Sequence, residues 1–190
     1  MTPAGDLRTV TIASARLHLH AFTPKDAPEA FTLATPTLTR FMAWDPSPSL
    51  AAFAEIWRAW MPAMAAGTDL ALAVRLAATG EFLGMAGLHR IDCPQPELGI
   101  WIRESAHGLG YGREAVAATM AWAAGRIGSA GFVYPVVLEN FASRRLVESL
   151  GGTPVGTAVL RKPGGVALDE VVYRIPAVEA GGASAAMERT

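Results

Sequence analysis

Apolar positions along this chain change period, and the changes mark its elements. Residues 16–21 alternate, with Leu17, Leu19 and Ala21 on one face and Arg16, His18 and His20 on the other, the period of a half-buried strand. Thr23-Pro24-Lys25-Asp26 then opens a short helix over 27–34, since proline fits a first helical turn. Leu50, Phe53, Ile56, Trp57 and Trp60 recur at helical spacing, and Met61-Pro62 should end or kink that helix. Of these, Phe53, Ile56 and Trp57 are expected in the core. Strands follow at 70–76, 82–88 and 98–102, the first two joined by a Thr79-Gly80 hairpin turn, so an antiparallel meander is predicted. The next helix carries Val116, Met120, Ala123 and Ile127 on one stripe and ends at Gly125 and Gly128. After a β-rich stretch at 132–138, Asn140 caps a helix whose buried stripe is Ala142, Leu146, Val147 and Leu150, with Gly151 at its C-terminal end. Two closing strands, 157–161 and 170–175, flank Lys162-Pro163-Gly164-Gly165.

A chain of 190 residues supports one domain with a full core. That domain is expected over 9–176, after a flexible N-terminus at 1–8 and before an alanine- and glycine-rich tail, 177–190, expected to be disordered. The sequence has no long uncharged apolar run and no charged segment leading into an apolar block, so neither a membrane span nor a signal peptide is expected. A net charge of −1, with both signs interspersed, gives no reason to expect nucleic acid or a membrane surface as partner. Cys93 is the single cysteine, which excludes an internal disulfide and a cysteine-cluster metal site and fits a cytoplasmic location. It lies in a proline-bounded turn and reads as an incidental thiol. His18 and His20 share a strand face without a third ligand at a recognisable spacing, so no metal is expected.

Residues 97–115 carry the chemistry. An alternating run leads into glycines at 108, 110 and 112 and then into helix formers from Arg113. Glycine permits positive φ and lets a ligand approach the backbone, while the helix start offers unpaired N–H groups and a positive dipole end. Such a turn suits a phosphate or pyrophosphate. No lysine followed by serine or threonine comes after the glycines, as a nucleoside triphosphate loop needs, and no repeating βαβ series begins here, as a dinucleotide site needs.

The spacing His107-x-x-Gly110-x-Gly112 resembles the Arg/Gln-x-x-Gly-x-Gly/Ala loop of the GCN5-related N-acetyltransferases, the GNAT superfamily, with His107 as a departure. Over residues 9–176 the element order is similar too, and four separated stretches, 14–19, 79–84, 97–102 and 139–145, look like the RimJ/RimL-type branch. The resemblance implies an α/β (α+β) fold with a mixed, mostly antiparallel sheet flanked by helices and splayed between its two central strands. It also implies acetyl-CoA, without a metal, lying between the strand ending at Ile102 and the strand ending near Leu138. Pantetheine is then expected along the backbone of Trp101, Ile102 and Arg103, and pyrophosphate on the N–H groups of His107, Gly108, Leu109, Gly110, Tyr111 and Gly112. Arg113, Asn140, Ser143 and Arg144 complete the expected cofactor contacts. The tyrosine acid many relatives carry seven residues after the helix-start asparagine is Val147 here, so the resemblance assigns proton donation to Ser143. Gly152 is a further departure, standing where relatives usually carry an aromatic residue.

The resemblance, with alternation that sets Glu97 on the face of Gly99 and Trp101, makes Glu97 the expected general base, directly or through water, and His89, at the end of the preceding strand, is the runner-up. Phe41, Met42 and Trp44 fall in an irregular stretch at 40–48 and are expected, with Glu97, to wall the acceptor pocket or, alternatively, to serve a homodimer. The implied activity moves an acetyl group to a primary amine, on a protein N-terminus or a small molecule, by direct attack. The alternative is a GNAT-fold module that binds coenzyme A or a partner without catalysis.

Overall fold

Leu17, Leu19 and Ala21 are buried while His18 between them is exposed, as alternation requires. The computed structural model describes residues 4–177. Its strands are β1 (Thr11–Ala13), β2 (Leu17–Ala21), β3 (Leu70–Leu76), β4 (Phe82–His89), β5 (Glu97–Ile102), β6 (Gly131–Val137), β7 (Thr153–Arg161) and β8 (Ala167–Pro176). The helices are α1 (Ala27–Leu33), α2 (Pro36–Thr39), α3 (Leu50–Arg58), α4 (Trp60–Ala66), α5 (Tyr111–Ile127) and α6 (Phe141–Ser149).

All eight strands join one sheet in the order β1-β2-β3-β4-β5-β6-β8-β7. Neighbours are antiparallel except β5 and β6. That parallel pair shares a single register position, Glu97 opposite Val133, whereas β4 and β5 pair from Gly84 opposite Ile102 to His89 opposite Glu97. Beyond Glu97 the two central strands diverge and the sheet splays. One face of the sheet packs on α5 and α6 through Val116, Met120, Val147, Phe132 and Tyr173. On the other face α1 and α3 cover β3 and β4 through Phe22, Ala30, Phe53, Phe82 and Met85.

Several expectations change on folding. Leu7, inside the stretch expected to be flexible, is 2% exposed and its N–H donates to Met64 O at 2.9 Å. Ile56 is exposed rather than buried, because α3 turns that side toward the cavity described below; Trp57 is half-buried. Ala142 is likewise exposed, leaving Val147 as the buried residue of α6. The aromatic helix breaks at Ala59, ahead of Pro62, which sits in the first turn of α4. Proline has no N–H to give the Arg58 carbonyl, so the break comes before it. Gly125 lies within α5, and Gly128, at φ 68°, ends that helix. Strand β1 and helix α2 were not expected. Of the tail at 177–190, residues from 178 onward lie outside the described residues.

Candidate active site

At the mouth of the splay the chain leaves β5, makes a short turn at Glu104–Ala106 and enters the glycine loop. His107 is engaged twice within the protein: its N–H donates to Glu104 O at 3.1 Å and its Nε2 lies 2.6 Å from Ile102 O. The loop's open backbone donors therefore begin at Gly108. Gly108 and Gly110 take φ of 75° and 81°, where a side chain is strained. Gly112 packs on α6, since a Cβ there would lie 3.2 Å from Leu146 Cδ1. The first helical bond of α5 is Glu114 N–H to Gly110 O, so Tyr111, Gly112 and Arg113 keep N–H groups without helical acceptors. These donors and the positive end of a 17-residue helix converge on one spot.

Arg16, immediately before β2, clamps this loop. Its Nε meets Glu114 Oε2 at 2.7 Å, its Nη1 donates to Leu109 O at 3.0 Å, and its guanidinium lies 4.5 Å from the Tyr111 ring centre. Burial works to raise the Glu114 carboxyl, but hydrogen bonds from Ser14 and Arg16 outweigh it and hold the pKa below its ordinary value. The arginines expected at the cofactor have protein partners. Arg113 donates to Ser149 Oγ, Arg144 to Tyr173 O–H, and Arg103 pairs with Glu81. The Arg103 N–H also donates to Leu83 O at 2.7 Å, so its backbone faces β4. Successive residues of a strand turn their peptide groups to opposite edges, which directs Ile100 and Ile102, rather than Trp101 and Arg103, into the splay.

From the splay a cavity of about 920 Å³ extends under α3 and the 40–48 loop, reaching from Asn140 and Ser143 to Phe41, Met42 and Trp44. His89 and Glu97 face each other across β4 and β5 on its wall. Asp69 Oδ1 holds His89 Nδ1 at 3.0 Å, which in the neutral ring leaves the Nε2 lone pair free. That nitrogen lies over the Gly87 and Gly99 backbone, 2.6 Å from where a Gly87 Cβ would be. Arg90, at φ 53° the one non-glycine with positive φ among the described residues, donates to Glu97 Oε2 at 2.9 Å. Asn140 Oδ1 accepts from Ser143 N–H as the cap of α6, and Ser143 Oγ lies 3.1 Å from Tyr134 O–H. Burial pushes the Tyr134 phenol up to about 12 against the smaller effect of Ser143, so it keeps its proton at neutral pH.

Sequence reasoning missed Arg16, Ile100 and Tyr134, and also Glu170 of β8, which lines the cavity. Alternation within β5 could have flagged Ile100. The others meet their partners across element boundaries, and neither periodicity nor a motif signals such a contact.

A family model described as an acetyltransferase (GNAT) domain matches residues 16–153. The chain belongs to the GNAT acetyltransferase family. No curated protein sequence matches it. Among solved structures, this GNAT domain superposes on RimJ from Mycobacterium smegmatis in complex with CoA-disulfide with a TM-score of 0.80, at 18% identity over 96% of this chain and 93% of that one. Spermidine N-acetyltransferase from Vibrio cholerae, in complex with CoA and spermine, gives 0.74 at 17% identity over 86% and 97%. Ribosomal-protein-S5-alanine acetyltransferase from Vibrio fischeri gives 0.73 at 14% identity over 90% and 98%. These are likenesses of fold. Among the described residues, no helix is long and apolar enough to cross a membrane, and no group of three or more His, Cys, Asp or Glu side chains could hold a metal ion.

Proposed function

We propose that this chain is an N-acetyltransferase of the RimJ/RimL type that uses acetyl-CoA to acetylate a primary amine by direct attack. The observation that carries the reading is the continuity of the splay, the donor-rich loop and the cavity: a cofactor cleft opens into a chamber walled by two candidate bases. The residues present fit acetyl-CoA. Past Glu97 the β5 edge facing β6 has no strand partner, so the Ile100 backbone and the Ile102 N–H can be offered to pantetheine, the Ile102 carbonyl being held by His107, while N–H groups from Gly108 to Arg113 suit a pyrophosphate. When bound, acetyl-CoA supplies the activated acetyl group.

The chain's own residues then have separable tasks. An ammonium must lose a proton before it is nucleophilic, and His89 Nε2 or the Glu97 carboxylate, adjacent across the sheet, can take it. Of the two, His89 has the freer acceptor, because Arg90 already occupies one Glu97 oxygen. Ser143 is the donor toward the departing thiolate, and Tyr134 stands behind it as a protonated partner. This pair answers the absence of the tyrosine at Val147 and favours catalysis over a purely binding module.

Calorimetric titration with coenzyme A and a thiol-release assay test the reading. Wild type should bind coenzyme A and release thiol with an amine acceptor. Gly110→Val should abolish binding, because valine is strained at φ 81° and the loop must shift to accept it. Unchanged affinity in a folded Gly110→Val variant would sink the pyrophosphate-loop assignment.

A further inference from the structure

Three carboxylates line the cavity, and two have partners: Asp69 is held by His89 and Glu97 by Arg90. The third, Glu170, comes from β8, where it stands opposite Val137 of β6 and Ala158 of β7. It is half-buried and has no hydrogen bond or ion pair among the described residues; burial and the like charge of Glu97 push its carboxyl above the ordinary value. A half-buried charge left without a counter-ion is costly unless a ligand completes it.

Much of the surrounding wall is apolar, formed by Phe41, Met42, Trp44, Phe53, Ile56 and Met85. It is also roofed. Lys162, at the β7–β8 turn, reaches across to Asp45 Oδ1 at 2.6 Å and Thr39 O at 3.1 Å with its side chain only 8% exposed, and so pins the loop that carries Phe41, Met42 and Trp44. A polyamine would bring several charges to a wall with one unpaired carboxylate.

We propose, resting on the acetyl-transfer reading, that Glu170 binds the ammonium of the acceptor, and that the acceptor is a small monoamine with an apolar body of aromatic size seated against the 40–48 loop. Both parts of the ligand follow from the wall: one positive charge for Glu170, and an apolar body for the side chains beside it.

The test uses the full chain with 2-phenylethylamine as probe. In thiol release its kcat/KM should exceed that of spermidine, and that of an alanine-initiated basic peptide, by about tenfold or more, the scale of one charged or apolar contact. Glu170→Gln should raise the KM for 2-phenylethylamine about tenfold while coenzyme A affinity stays unchanged. Lys162→Ala, which frees the loop without touching Glu170, should raise KM with kcat retained. If coenzyme A binds but no amine turns over, quenching of tryptophan fluorescence by 2-phenylethylamine that Glu170→Gln abolishes would sustain the assignment, and its absence would overturn it. Preference for spermidine or the peptide, or unaltered KM in both variants, also overturns it. Failure of wild type to bind coenzyme A is a separate result, and it overturns the acetyl-transfer reading itself.

Discussion

Gly87 lacks a side chain where His89 needs room, because a Cβ there would stand 2.6 Å from Nε2. Gly87→Ala should therefore displace the imidazole. If His89 is the base, kcat falls by roughly a hundredfold, the lower range for general base catalysis, with coenzyme A affinity unchanged; a pH–rate profile like that of wild type would return the role to Glu97. The Tyr134–Ser143 contact makes a second prediction at this scale. Tyr134→Phe should cost about 1 kcal/mol of stability, the net worth of a hydrogen bond, and lower kcat without changing KM if the phenol supports Ser143 as donor. Equal kcat in the two proteins would reduce Tyr134 to packing. Neither contact could be read from the chain, since an alternating strand says which face a residue takes but not what stands opposite it.

Between elements, the junction of β2 with α5 sets the shape of the cofactor loop. Ser14 O–H and Arg16 N–H both donate to Glu114 Oε1, while the Arg16 guanidinium spans Glu114 and Leu109. Because the Glu114 pKa is depressed from 4.5 on folding, its contribution to stability is present above that value and is lost as pH falls through the lower folded value. Thermal unfolding of wild type and Glu114→Gln should thus differ most near neutral pH and converge only once the pH has fallen below that depressed folded value. Looser coenzyme A binding should accompany the variant, since its loop loses an anchor. On the opposite face of the sheet, burial likewise works to raise Asp26, and Arg75 with Thr23 hold it down. That pairing ties the start of α1 to β3 and adds to the same acid limb.

Across the whole molecule, stability and function pull apart at Glu170. Its raised pKa is a cost carried above the ordinary carboxylate range and relieved as pH falls. Glu170→Gln should therefore raise Tm at pH 7, on the order of 2 °C for a domain of this size, even as it weakens the amine site; a lower Tm would argue that the carboxylate is structurally satisfied. The chain by itself determined what depends on neighbours along it. Alternation placed the meander, 3.6-residue periodicity placed the helix after the glycine loop, and Asn140 and Gly151 bounded α6 through backbone groups only a few residues away. Family resemblance added the splay, which no periodicity encodes. Only the tertiary structure decided that the His107 ring turns back onto Ile102 O, that Ile56 faces a cavity, that Arg16 grips the loop and that Tyr134 and Glu170 line the same cavity. Arg16 and Glu114 lie 98 residues apart, and Lys162 and Thr39 lie 123 apart. Contacts of that span form only after the sheet has brought its strands together, and the divergence of β5 from β6 then determines which side chains share the resulting space.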